Sequence, residues 1–183
     1  EAYMIRAYCH FLLVNLYADP YTHCTPATTR GIPLSLAADV NAVLSCSSVE
    51  KVYQQVIDDI KKAKEHLNVD TWNEGYTYRF NTVSANALLA RVYLYKGDWH
   101  NALEEAKTVI QKHGTLEDMN TSKVLPNYYL SAENIVALEQ VMTSGYVKIG
   151  VPDKALVDAY RTGDKRKALY YKARTSSVYN LIK

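Results

Sequence analysis

Residues 83–96 and 99–112 are two stretches of helical period with only Gly97 and Asp98 between them. A link that short cannot carry a second helix away from the first, so the pair must fold back as an antiparallel hairpin. Gly97 interrupts the first helix, and Gly114 takes the position glycine occupies after the second. Small Ala90 and Ala102 fall where the helices must approach, and the Tyr93 ring falls where the groove between them needs filling. Such a hairpin has to bury its apolar faces against further helices. An all-α architecture is therefore expected.

The rest of the sequence supplies partners. Over residues 2–17 apolar and aromatic side chains occupy nearly every side of a 3.6-residue period, with Ile5, Tyr8, Leu12 and Leu16 on one stripe and Phe11 and Val14 beside it. That pattern predicts a helix buried on most sides. Asp19-Pro20 ends it, because proline bars the helical conformation for the residue before it. Residues 20–46 carry Pro20, Pro26, Pro33, Gly31 and many small polar side chains. A connection of that length is either functional or disordered.

Ser47 followed by Glu50 is a capping-box signature. Val49, Val52, Val56, Ile60, Ala63 and Leu67 then repeat at three and four, while Asp58, Asp59, Lys61, Lys62 and Glu65 fill the other face. This predicts an amphipathic helix over 47–67. Residues 72–81 form a second connection, polar and aromatic, and 117–131 are loop-like. From 134 to 142, Ile135, Val136, Leu138 and Val141 make a short apolar run that suits a strand or a buried helix equally. A last element runs from about Pro152 to Tyr160 and is interrupted at Thr162-Gly163-Asp164.

The chain's 183 residues can bury a substantial core, and its formal charge is only +2, with basic and acidic residues interleaved. It presents no field able to neutralise a row of phosphates, which excludes nucleic acid as the expected partner. Arg6, His10 and Asn15 break the longest apolar stretch, so it does not read as a membrane span. The chain opens at Glu1 without a signal-peptide pattern and reads as a mature or excised piece. Cys9, Cys24 and Cys46 are odd in number and contain no C-x-x-C pair, so free thiols are expected, with a Cys24–Cys46 bridge at the long loop as the alternative.

No catalytic, metal or cofactor site is expected. The histidines His10, His23, His66, His100 and His113 are scattered, and no two stand at the i, i+4 spacing of a helical metal site. Asp58 and Asp59 are neighbours on a helix and point apart, so they do not form an acid pair. No nucleophile elbow, phosphate loop or dinucleotide fingerprint is present, and Gly31, Gly75 and Gly145 stand isolated. Arg79 and Arg91 read as helix-end and interhelical structural residues.

Residues 83–114 match the tetratricopeptide pattern in part: Ala106 stands where an aromatic is commoner and Gly114 where proline is usual. Longer-range order is more telling. Glu1-Ala2, Arg6-Ala7-Tyr8, His10-Phe11, Leu16-Tyr17-Ala18-Asp19-Pro20-Tyr21 and Gly31-Ile32-Pro33-Leu34 follow one another. They lead to Ser48-Val49-Glu50-Lys51-Val52-Tyr53, Ile57-Asp58-Asp59-Ile60 and the run from Ala87 to Trp99. Leu156-Val157-Asp158-Ala159-Tyr160 and Gly163-Asp164-Lys165-Arg166 close the series. In order and spacing this resembles the middle of SusD/RagB proteins.

The resemblance implies a single SusD-like helical domain over 1–183 built as an α-α superhelix of tetratricopeptide-like hairpins. Within it, 1–18 would pair with 47–67 across the loop 19–46, and 83–114 would form the next unit. Two departures stand out: the connection from Ala137-Leu138-Glu139 to Val151-Pro152-Asp153 is far shorter than the family's, and the family's lipidated N-terminal segment and C-terminal portion lie outside this sequence.

The functional implication is a non-enzymatic component of an outer-membrane uptake system, a cell-surface lipoprotein anchored by a lipid outside this sequence. It would capture oligosaccharide or another nutrient for a SusC-like TonB-dependent transporter. The alternative is a tetratricopeptide adaptor for a protein or peptide, whose mark would be Lys, Arg or Asn along a concave face; Arg91 and Lys96 are the few candidates. Among 16 tyrosines beside two Phe and two Trp, most suit shallow helix packing. Sugar binding needs an exposed ring face with amide or acid groups beside it, and the loop containing Trp72, Asn73, Glu74, Tyr76 and Tyr78 has that composition.

Overall fold

The computed structural model describes residues 1–39, 41–121, 128–138, 151–175 and 178–181, omitting the side chains of 180 and 181. They fall in two compact units, Glu1–Gly114 and Thr115–Lys183.

In the first unit, helix α1 (Ala2–Tyr17) packs along helix α2 (Val49–Lys64), and α2 in turn packs against helix α3 (Thr82–Lys96). Helix α4 (Trp99–Lys112) folds back on α3 in the hairpin that the Gly97-Asp98 link requires. Gly97 adopts φ +79 and its amide donates to the Tyr93 and Leu94 carbonyls, while the Asp98 amide donates to that of Tyr93 as well, so these carbonyls at the end of α3 are satisfied. Asp98 then caps α4 by accepting from the Asn101 amide. Of the two alanines expected at the approach, Ala102 is buried and Ala90 half-buried, and Tyr93 packs on the edge of the core.

Met4, Ala7, Phe11 and Val14 of α1 meet Val52, Val56 and Ile60 of α2 and Leu89 and Val92 of α3 in one buried cluster. Apart from that of Ala7, burying each of these side chains contributes about 1.5–3 kcal/mol. Tyr53 is buried among them; its hydroxyl donates to Asn15 Oδ1 at 3.0 Å, and desolvation pushes its pKa up to about 12.

Two expectations are corrected here. Helix α1 is not buried on most sides: Ile5, Leu12 and Leu16 are 52%, 48% and 72% exposed, so the core-facing stripe is the one through Ala7, Phe11 and Val14. All-round apolar periodicity gives no hint of which face meets the neighbour. The cap of α2 is Ser48, whose side chain accepts from the Lys51 amide, not Ser47. Ser47 lies in strand β2 (Cys46–Ser48), which pairs antiparallel with β1 (Arg30–Pro33) inside the long connection. That connection is therefore ordered structure over much of its length, with Tyr21 edge-on to Tyr53 at 4.9 Å and Ile32 buried. The capping box sits instead at α3, where Asn81 and Ser84 satisfy each other's amides.

Among the described residues the second unit has two short helices, α5 (Lys154–Asp158) and α6 (Lys165–Tyr170), and an antiparallel pair of strands, β3 (Tyr171–Ala173) and β4 (Tyr179–Leu181). Of the apolar run 134–142, residues 134–138 lie in neither helix nor strand and 139–142 lie outside the described residues. The cysteines Cys9, Cys24 and Cys46 are free thiols. No helix among the described residues is long and apolar enough to cross a membrane.

Candidate functional site

The connection between α2 and α3 is closed at its neck by the Thr82 amide donating to the Val69 carbonyl at 2.9 Å. Above that neck the chain makes two consecutive turns, Tyr76 N–H to the Asn73 carbonyl and Arg79 N–H to the Tyr76 carbonyl. Gly75 stands in the first turn with φ +93, a conformation other residues enter only with strain. The result is a compact projecting loop that carries all five residues expected to contact a glycan.

Their surroundings differ. Trp72 is half-buried: its indole N–H donates to the Phe80 carbonyl at 3.0 Å, and the Arg79 guanidinium lies over its ring at 4.5 Å. One face and the polar edge of the indole are thus already occupied. Arg79 is held in turn by a two-pronged pair with Glu1, Nε to Oε1 at 2.8 Å and Nη2 to Oε2 at 3.0 Å. This hydrogen-bonded pairing holds the Glu1 carboxyl below the usual carboxylate range and raises the Arg79 guanidinium. The sequence places Arg79 at a helix end; its structural role depends on a partner 78 positions earlier, which no local pattern could indicate.

Tyr76 and Tyr78 are 52% and 55% exposed, and Asn73 and Glu74 are exposed beside them. The Tyr76 ring leans toward Trp72 with centroids 6.5 Å apart. The loop therefore presents two phenol faces with an amide and a carboxylate, on a base of Trp72 and Arg79. Chemically it can stack against an apolar ring face and exchange hydrogen bonds with hydroxyls. Asp70, at the foot of the loop, is committed to Lys112 at 2.8 Å and to the Thr82 hydroxyl.

In the second unit Leu156, Ala159, Tyr160, Arg161, Asp164 and Arg166 line an open hollow of about 340 Å³. Arg166 is spent there on Asp164 at 2.6 Å and on the Tyr160 ring at 5.6 Å. Those interactions join the two halves of the Leu156 to Arg166 motif into one local structure. Among the described residues no group of three His, Cys, Asp or Glu could hold a metal. Arg91 is exposed, and Lys96 lies over the Tyr21 ring at 5.7 Å.

Residues 1–94 match a family model described as SusD-like, starch-binding associating with outer membrane. The chain belongs to the SusD-like family. The SusD-like chain is 28% identical over 148 residues to SusD-like protein P2 of Formosa agariphila, an alignment that covers 80% of this chain and 27% of that protein. A solved SusD superfamily protein from Bacteroides thetaiotaomicron shares 32% identity at a TM-score of 0.59, over 66% of this chain and 26% of the other. A SusD-like carbohydrate binding protein from Bacteroides vulgatus superposes over 93% of this chain and 39% of its own at a TM-score of 0.70; its 20% identity speaks for the fold alone. The SusD-like chain thus spans between about a quarter and two fifths of these relatives' lengths.

Proposed function

We propose that this chain is the helical portion of a non-catalytic glycan-binding protein that captures oligosaccharide at the outer membrane and passes it to a SusC-like TonB-dependent transporter. The observation that carries the reading is the match of residues 1–94 to a family described as starch-binding and outer-membrane associated. The helix scaffold supports it by projecting the loop through Trp72, Asn73, Glu74, Tyr76 and Tyr78 with two phenol faces exposed. In this reading Tyr76 and Tyr78 stack on the sugar, Asn73 and Glu74 receive its hydroxyls, and Trp72 supports the platform from beneath. Membrane attachment is through a lipid outside this sequence.

Calorimetry with a panel of neutral oligosaccharides, starch fragments included, tests the proposal on the protein and on Tyr76→Ala and Tyr78→Ala variants. Loss of a stacking ring costs about 1 kcal/mol, roughly a fivefold weaker association. Unaltered affinity in both variants removes the loop from the site. Absence of any glycan binding, together with failure to co-purify with an outer-membrane transporter, refutes the function.

A further inference from the structure

Asp59 is a charged residue with no solvent exposure in the middle of the amphipathic helix α2. Arg6 of α1 meets it with two prongs, Nε to Oδ2 at 2.8 Å and Nη2 to Oδ1 at 2.6 Å, and the Gln55 amide donates to Oδ1 at 2.9 Å. The remaining guanidinium nitrogen, Nη1, donates to the Leu36 carbonyl at 3.0 Å, and Tyr3 lies under the guanidinium carbon at 5.4 Å. The two charges thus join α1, α2 and the connection between them at one point.

A buried ion pair is a poor device for holding two helices together. Asp59 is wholly removed from water and Arg6, 27% exposed, partly so; that desolvation can offset the attraction of the pair, and apolar side chains of similar volume commonly serve as well or better. What an apolar pair cannot do is hold a backbone carbonyl. That carbonyl belongs to residues 35–39, which follow the packed strand β1 and are exposed on the surface of the unit. Leu36 is 50% exposed, and a second hydrogen bond there is local, from the Ser35 hydroxyl to the Ala37 carbonyl at 3.4 Å.

We infer that the Arg6–Asp59 pair is a latch for residues 35–39: Asp59 fixes the guanidinium plane so that its free edge pins the Leu36 carbonyl, and opening the latch releases this segment while the helices stay packed. Arg6 and Asp59 are positioning residues in this arrangement. Lysine in place of Arg6 keeps a charge for Asp59 but lacks the planar fork that reaches both partners.

The test compares the wild type with Arg6→Lys and with the double variant Arg6→Met/Asp59→Leu, which replaces both charges by apolar groups and leaves the half-buried Gln55 amide free to turn to solvent. Elastase cleavage after Ala37 or Ala38 is timed, and thermal melting is followed by circular dichroism. Loss of one hydrogen bond to a charged donor predicts cleavage about tenfold faster or more in both variants. Melting of the double variant is expected to be unchanged or raised. Wild-type cleavage rates in the double variant overturn the inference. So does a large fall in its melting midpoint, which would show that the pair holds the helices themselves.

Discussion

Gly31 offers the sharpest test of how the long connection is built. Its φ is not in the left-handed region, so no conformational freedom requires glycine there. Space does: a Cβ would lie 2.9 Å from the Ser47 carbonyl oxygen, 3.1 Å from the Val49 nitrogen and 3.2 Å from the Ser48 carbonyl carbon. All three are backbone atoms of β2 and the start of α2, and none can rotate away as a side chain would. Gly31→Ala must push the two strands apart or bend β1, and overpacking of this kind costs about 1–3 kcal/mol. The unfolded chain loses conformational freedom through the same substitution, which returns about 0.4–1 kcal/mol. At the middle of both ranges the net destabilisation is about 1.3 kcal/mol, a fall of roughly 3–5 °C in melting midpoint for a chain of this size. The assay is thermal melting by circular dichroism, with Gly75→Ala as the contrast. Gly75 has nothing within 4 Å of its Cβ position and a φ of +93, so its penalty is purely conformational. A Gly31→Ala protein that melts with the wild type would refute the close approach of β1 and β2.

Two further outcomes follow from the packing. Ala102→Leu is expected to lower stability by about 1–3 kcal/mol because Ala102 is the alanine that α4 buries in the α3/α4 hairpin, and the same change at half-buried Ala90 is expected to cost less; equal melting curves for Ala102→Leu and wild type would contradict the hairpin packing. The Glu1 carboxyl is held below its ordinary value of 4.5 by Arg79, so its support of the 72–79 loop is fully present above that pH and is lost as the pH falls through the lowered folded value. In a Trp99→Phe background, Trp72 emission should therefore hold at pH 4.5 and shift to the red only as the solution is acidified further, and a Glu1→Gln protein should show the shifted emission at neutral pH.

Much of the first unit was legible in the sequence. The period of residues 2–17 and 83–112, the Asp19-Pro20 stop and the two-residue link at Gly97-Asp98 determine helices and a hairpin because those signals act over one or two turns. The order of short motifs along the chain resembles the SusD-like family, and the family match over residues 1–94 bears that resemblance out. In the second unit, α6 and the β3–β4 pair went unforeseen, since segments of three to six residues carry too little periodicity to register.

Tertiary structure alone decided the rest, and the reason is distance along the chain. Strands β1 and β2 are short and lie far apart in sequence, so only their approach beneath Gly31 makes them a pair and moves the cap of α2 from Ser47 to Ser48. Which stripe of α1 faces the core depended on where α2 and α3 lie, because both stripes are apolar. The five loop residues proposed to meet a glycan were identified by composition. That Trp72 serves beneath them, its N–H on Phe80 and its face under an Arg79 held by Glu1, follows from a contact across 78 positions. A side chain's chemistry is set by its residue type, but the groups it has left to offer are set by the neighbours that folding brings to it.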